Sequence, residues 1–462
     1  MRTENSNPKI TIIGSGAGAG ALVNTLVKNG FKPSEILILE RGDELPQEKD
    51  SSAATRFIET YENAGAVPCI GKPIIPFALA SCVGGGPEIN GALIWKTPNH
   101  IKKDWFENFN LPFKQEIFDN NLNLFNTFLE VKDSHINEEH DYASYLLKKA
   151  SNTLDINCVP ARRAIKGSCC SDNLCAFGST NDSKQTVNKM IFKKYIKLGL
   201  FLEKKIRDIK FDISKRSGPY KVFYLNDNIK KCIETEKLFI CAGTINSPII
   251  LTDLIKVNSS KFKIKFHINL KSIGLRKTAN PDKPGTMFSA QVQEYQQDNQ
   301  YIMPFNWHYA HLASILDRHK RGINFNYIYK HGMGLTTQVS HMDIESDLRV
   351  LKIFNRNYKF LTHTLNNNLE VQKAIHNALQ RTYKIYKSLG IENILAPIKN
   401  SPILKTSDLI NSKSLKIKNL DMISVHHMGT LPLNSKYIEK NGSIRGLPNI
   451  FIADGSILPT AV

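Results

Sequence analysis

The residues able to do chemistry fall at a few places in this 462-residue chain, first at Gly14-Ser15-Gly16-Ala17-Gly18-Ala19 with Glu40 beyond. Glycine at 14 permits a tight turn, glycine at 16 lets backbone approach a pyrophosphate, and small Ala19 lets a helix lie close to a strand. The helix that follows presents free N–H groups and a partial positive charge to phosphates. Glu40 lies 21 residues after Ala19, where a carboxylate can accept from both hydroxyls of a ribose and repel a 2′-phosphate. That combination predicts a dinucleotide site for FAD or NAD rather than NADP. A second place is Gly84-Gly85-Gly86, followed by Pro87-Glu88-Ile89-Asn90-Gly91. Three glycines in a row suit a loop whose backbone approaches a ligand, and the segment after them suits a helix start. A third is the cysteines: of eight, four fall between 158 and 175, while Cys241, inside LFICAG, reads as a small buried hydrophobe.

These residues need elements to position them. Apolar runs at Ile10–Ile13 and Ile36–Leu39 flank a helical stretch at 21–29, giving strand, glycine turn, helix and strand ending in the acid. Residues 53–64 have helical character, and residues 100–155 are mostly helical by spacing, as at Phe118, Leu122 and Phe125. A helix is predicted over 187–198 and short strands over 201–210 and 220–225. A strand over 237–242 runs across Gly243 into Thr244-Ile245-Asn246-Ser247-Pro248, a second strand-to-helix glycine turn. From about 255 to 350 the alternation predicts strands, among them 286–294 and 323–329, and a long helix follows over 367–389.

Length allows a large core and two domains. Hydrophobic residues at 41% and charged residues at 22% fit an ordinary globular protein, not a disordered or disulfide-built one. The net charge of +19 raises nucleic acid or an anionic membrane as partners, but the lysines are scattered and no aromatic-and-basic interleaving accompanies them. No nucleic-acid role is expected. No stretch approaches the roughly 20 apolar residues of a membrane span, and MRTENSNPK lacks a signal-type apolar core, so a cytoplasmic protein is expected.

Taken in order, GSGAGAG with Glu40, VGGGPEING at 83–91, CAGTINSP at 241–248, HHMGT at 426–430 and NIFIADGSILPT at 449–460 resemble the glucose–methanol–choline (GMC) family of FAD-dependent oxidoreductases. The resemblance covers nearly the whole chain. It implies an α/β fold: a Rossmann-like FAD-binding domain from discontinuous segments, plus a substrate domain with an antiparallel sheet. It assigns 1–100, 156–254 and 424–462 to the FAD domain, 101–155 to a helical part of the substrate domain, and 255–423 to its remainder. Carried over, Gly14, Gly16 and Ala19 would face the FAD pyrophosphate and Glu40 the adenosine ribose. Gly85, Gly86 and Asn90 would lie against diphosphate and flavin, and Asp454 and Gly455 near the ribityl chain. His426 matches the family's catalytic histidine, with His427 the competing candidate. Removing hydride from a carbinol leaves a hydroxyl proton for a base, and a histidine suits that near neutral pH.

Cys169-Cys170-x4-Cys175, preceded by Arg162 and Arg163, resembles the segment of sugar, polyol and aldonate dehydrogenases that carry an iron–sulfur cluster beside the flavin. Thiolates are the natural ligands of a 3Fe-4S cluster. Position 179 is serine where a further cysteine is expected, so a loop of free thiols or a zinc site with another ligand stays open. The sequence ends at Pro459-Thr460-Ala461-Val462, before the family's second catalytic His or Asn and its last helix. The resemblance therefore implies an FAD-dependent dehydrogenase taking hydride from the CH–OH of an alcohol, a sugar or polyol, with electrons passing to a cluster or an electron-acceptor subunit. The alternative is an FAD-binding but catalytically impaired, truncated homologue. Export to the periplasm with a partner subunit is the alternative to the cytoplasm.

Overall fold

The computed structural model describes residues 7–46, 52–65, 67–136, 138, 141–166, 173–178, 183–281, 288–320, 322–340, 344–354, 356–412 and 415–461. The first apolar run forms a strand, Ile10–Ile13, buried throughout. It is flanked in parallel by Ile36–Leu39 and by Lys237–Ile240. Outside these pair Phe201–Glu203 on one side and Leu447–Ile452 on the other, also parallel, with Ser443–Ile444 closing that edge antiparallel. Numbered along the chain, the five parallel strands stand in the order 3-2-1-4-5, the dinucleotide-binding arrangement. Both faces are covered, and alternation divides the side chains between them. Ile10, Ile12, Ile36 and Ile38 join one core with Ala19, Val23, Val187, Ile191 and Phe192, while Ile13, Leu37, Leu39, Leu238 and Ile240 join a larger core on the other face.

Two antiparallel-rich sheets make up most of the remainder. A seven-stranded sheet runs Leu404–Lys405, Asn393–Leu395, Ile268–Leu275, Gly332–Val339, Gln300–Pro304, Ala290–Val292, Cys158–Pro160. Helix Leu369–Ser388 packs on one of its faces, joined through Thr337 to Thr382 at 2.6 Å and Ser272 to Tyr386 at 3.2 Å. A six-stranded sheet runs His427–Met428, Ser259–Phe266, Glu345–Ile353, Arg356–Thr362, Val67–Ile70, Ile75–Phe77. The α/β class and the parallel sheet drawn from separated segments follow the sequence expectation.

Several local expectations change. The first helix spans Ala17–Lys28, four residues earlier than the 21–29 read from apolar spacing, because glycine and alanine let its first turn pack against backbone. The stretch read as a strand at 323–329 is a helix, Phe325–His331, capped by Asn324, whose side chain accepts from the Tyr327 N–H. Its aromatic spacing serves i,i+4 stacking instead, Phe325 on Tyr329 and Tyr327 on His331. The strand expected at 286–294 is Ala290–Val292 among the described residues. Two segments expected in the dinucleotide pieces pair elsewhere: Cys158–Pro160 edges the seven-stranded sheet, and Val67–Ile70 with Ile75–Phe77 edges the six-stranded one. With those exchanges, the division into a dinucleotide domain and a substrate domain stays our proposal.

Candidate active site

In a sheet of this order, ligands bind beyond the carboxyl ends of the strands where the order reverses, here between Ile10–Ile13 and Lys237–Ile240. The glycine turn leaves the first strand at this point. Gly14 has φ +96, donates to the Leu39 carbonyl at 2.9 Å, and has no room for a Cβ against the carbonyl of Cys241. Helix Ala17–Lys28 begins at Gly16 with no side-chain cap, so its first-turn N–H groups stay open for an anion. A Cβ at Gly16, Gly86 or Gly243 would meet nothing within 4 Å, whereas one at Gly85 would lie 2.7 Å from the Cα of Gly16. The two glycine motifs therefore meet backbone to backbone and leave an open groove beside them. A pyrophosphate fits such a groove.

Ser15 is the hub of this turn, and sequence reasoning passed over it as a spacer. Its N–H and hydroxyl both donate to Glu40 Oε2, at 2.9 and 2.7 Å, and its Oγ accepts from the Gly84 N–H at 3.0 Å. Glu40 Oε1 accepts from the Gly42 N–H at 2.7 Å. A carboxylate has about four acceptor sites, so roughly one remains for a ribose hydroxyl rather than the two expected. Glu40 thus braces the loop. Ala19 is fully buried and joins helix to strand.

Gly18 also went unnoticed, though a methyl there would collide with the carbonyl of Ala453. Gly18→Ala is therefore expected to lower the melting temperature, by roughly 1–3 kcal/mol of stability, and to release bound nucleotide as a consequence. Gly16→Ala should keep the melting temperature of nucleotide-free protein and lose only retention, because its methyl enters the groove. Equal melting temperatures for the two variants would show that the close approach to Ala453 does not matter.

At the far side of the switch point, Asp454 turns inward. One oxygen accepts from the Gly243 N–H at 2.8 Å and the Ser247 hydroxyl at 2.5 Å, the other from the N–H of Ser456 at 2.8 Å and its hydroxyl. Its oxygens hold two turns together, and its place near a ribityl chain stays a proposal. Gly455 accepts from the Gly429 N–H at 3.2 Å and lies against Thr244. Asn90 accepts from the Ala92 N–H at 2.9 Å at the end of the short helix Gly86–Ile89.

The histidine segment is fastened to this edge. The Thr244 hydroxyl donates to the His427 carbonyl at 2.6 Å, and the Thr430 hydroxyl to the Thr244 carbonyl at 2.7 Å. His427–Met428 pairs with Lys265–Phe266 as a two-residue strand, so adjacent side chains point opposite ways. The His427 ring stacks on Phe77 at 4.2 Å with Nε2 buried and unpartnered. Burial first, and then His426, push its pKa down to about 3. His426 is exposed, and among the described residues nothing hydrogen-bonds its ring; its neighbour is His267, edge-on at 4.6 Å. Burial among neighbouring atoms lowers its pKa from the usual histidine value. Of the pair, His426 has the free ring.

Cys169 and Cys170 lie outside the described residues. Cys175 is buried, with the Arg163 guanidinium 4.0 Å from its sulfur and the Lys184 ammonium donating to its carbonyl at 3.2 Å. Among the described residues no group of three His, Cys, Asp or Glu could hold a metal ion. No helix of the described residues is long and apolar enough to cross a membrane.

Another acid sequence reasoning missed is Glu62. It receives Arg41 at 2.7 Å, Asn246 at 3.1 Å and the ammonium of Lys359. It thereby joins the end of strand Ile36–Leu39, the turn after Gly243, and strand Arg356–Thr362 of the six-stranded sheet. Its three partners are 21, 184 and 297 residues away, so no local pattern could have marked it.

Residues 57–253 match the sequence family described as GMC oxidoreductase. An uncharacterised GMC-type oxidoreductase of Sinorhizobium fredii is 22% identical over 476 residues, spanning 97% of this chain and 90% of that protein. A long-chain-alcohol oxidase of Arabidopsis thaliana is 32% identical over 104 residues, which is 22% of this chain but only 13% of that enzyme. The crystal structure of pyridoxine 4-oxidase from Mesorbium loti superposes with a TM-score of 0.68 at 12% identity, covering 98% of this chain and 95% of that one, a likeness of fold.

Proposed function

Since the chain belongs to the GMC oxidoreductase family, whose members bind FAD and act on CH–OH groups, we propose that it oxidises an alcohol, a sugar or polyol, with His426 as base. The observation that supports this reading is that Thr244, in the turn after Gly243, bonds both the His427 carbonyl and the Thr430 hydroxyl, which fastens the segment carrying His426 to the edge of the parallel sheet. The groove fits FAD: the open side of Gly16, Gly86 and Gly243, the uncapped helix start and the spare acceptor site of Glu40 would hold its diphosphate and adenosine ribose. When bound, FAD supplies the hydride acceptor. The protein's own part is to hold the carbinol in the cleft and take its hydroxyl proton on the neutral imidazole of His426. The low pKa of that imidazole keeps it unprotonated at neutral pH. His427, packed on Phe77, fixes the strand that presents it.

We propose a dehydrogenase that passes electrons to a partner, through an iron–sulfur cluster if Cys169, Cys170 and Cys175 hold one. The names of the alcohol and pyridoxine oxidases favour a second reading, in which oxygen is the acceptor. One preparation tests all of this. Anaerobically purified protein, denatured, should release FAD and no nicotinamide nucleotide. The intact protein should bleach with an alcohol and recolour faster with an artificial acceptor than in air. Iron and sulfide in the same sample decide the cluster. Release of a nicotinamide nucleotide, or no chromophore after expression with ample riboflavin, would overturn the FAD assignment.

A further inference from the structure

The six-stranded sheet buries one face: Phe262, Ile264, Leu348, Val350, Leu361 and Cys69 alternate into the large core. The residues between them point the other way, where an antiparallel sheet ordinarily carries polar side chains. The half of this face toward strand Ser259–Phe266 follows that rule. Lys261 and Lys263 meet Asp347 at 2.9 and 3.1 Å, and Lys263 and Lys265 meet Glu345 at 2.5 and 2.7 Å.

The other half breaks the rule. Pairing sets Tyr358 opposite Leu351, Phe360 opposite Arg349, and Ile70 beside Thr362. Tyr358, Ile353, Phe360 and Ile70 are between 43 and 51% exposed, and Phe354, where the strand turns back, is 94% exposed. Phe354 also has φ +47, the left-handed region that disfavours a bulky side chain. A phenylalanine there forgoes burial and strains the backbone together. Single exposed hydrophobics need no explanation, but a group gathered on neighbouring strands and the turn between them marks a contact surface.

The charges around the patch select its partner. Strands Ser259–Phe266, Glu345–Ile353 and Arg356–Thr362 carry two carboxylates, Glu345 and Asp347, and lysines hold both. Arg349 and Arg356 lie within the apolar half, opposite Phe360 and Ile353, and Lys72 follows Ile70 by two residues. All three are exposed, and among the described residues none of them pairs with a carboxylate. Beside the turn, Lys256, Asn258, Lys352 and Phe354 line a hollow of about 480 Å³. Its ammonium and amide donors suit a headgroup phosphate. A second copy of this chain fits poorly, because a twofold interface sets a patch against itself and would bring these cations together. An anionic bilayer answers both features, with cations at headgroup level and aromatic and aliphatic side chains in the boundary beneath.

We propose that this face docks on the surface of an anionic membrane, Phe354 and Ile353 entering the interface while Arg349, Arg356 and Lys72 meet the lipid phosphates. The attachment is peripheral and needs no turnover, so it stands or falls apart from the oxidation reading above.

The test mixes the full chain with vesicles of phosphatidylcholine, either alone or with about one third phosphatidylglycerol, and reads bound protein by sedimentation. Wild type should bind the mixed vesicles, bind the neutral ones at least roughly 10-fold more weakly, and come off as salt rises. Arg349→Gln combined with Arg356→Gln should weaken binding roughly 10–30-fold. Phe354→Ser should weaken it roughly 10-fold with an unchanged melting temperature, since the ring is 94% exposed. Phe354→Trp should restore the affinity, with tryptophan fluorescence shifting to the blue on the vesicles. Lys193→Gln combined with Lys194→Gln removes as much charge from another exposed site, helix Lys193–Ile196, and should bind as wild type does. Equal losses in the two double variants would trace binding to the net charge of +19 and overturn the docking face. No binding to the mixed vesicles overturns it outright. A wild-type dimer that Phe354→Ser turns into a monomer would give the face to a second copy and overturn it as well.

Discussion

His426→Ala is expected to slow oxidation of a good alcohol substrate roughly 10²–10⁴-fold, the usual contribution of a positioned proton acceptor. Flavin content should hardly change, because the ring hydrogen-bonds nothing among the described residues and leaves the glycine turns intact. In wild type the rate should climb with pH and level off below 6.5, because burial lowers the imidazole's pKa from that value and only the neutral ring accepts a proton. The variant should lose that inflection. The exposed position should also admit free imidazole, which restores part of the rate if the missing group is a base. His427→Ala should behave differently. Its ring packs on Phe77 at 4.2 Å, so truncation should cost stability, on the order of 2–4 kcal/mol, and less of the rate. Equal rate losses in the two variants, or an unchanged pH profile in His426→Ala, would remove His426 from its role.

How much of this was legible follows from how local each demand is. The glycine turn declared itself because Gly14, Gly16 and Ala19 answer backbone requirements within a few residues, and Ile10–Ile13 and Ile36–Leu39 are unbroken apolar runs because both sides of the sheet are buried. Segment 323–329 misled because aromatic residues two apart also stand four apart; the cap at Asn324 and the stacking of Phe325 on Tyr329 decided for a helix. Gly18 and Ser15 lay inside the motif yet were unread, since their reasons, Ala453 and Gly84, come from remote chain. Asp454 shows a further limit: a motif marks a residue without saying that its oxygens hold the neighbouring turns at Gly243, Ser247 and Ser456.

Glu62 gives the case where a missed residue should matter most to stability. Burial alone would raise its pKa, but Lys359 and Arg41 outweigh that and hold it down to about 2, from an ordinary 4.5. A carboxylate with a depressed folded-state value contributes stability that is full above the unfolded value and is lost as pH falls. The protein should therefore lose roughly 3 kcal/mol between about pH 5 and pH 2 from this group. Glu62→Gln should remove a comparable amount at neutral pH, about 3–5 kcal/mol, because Lys359 is left buried beside Arg41 without its counter-charge. It should also loosen FAD, since Glu62 bonds both Arg41, next to Glu40, and Asn246, in the turn after Gly243. The damage comes from the stranded ammonium more than from the lost pair. Hence the double variant Glu62→Gln, Lys359→Met should be more stable than Glu62→Gln alone, a coupling that denaturant melts of the four proteins measure directly. If the double variant is the less stable of the two, the pair is itself a source of stability, and the cost of an unpaired Lys359 is not what holds Glu62 in place.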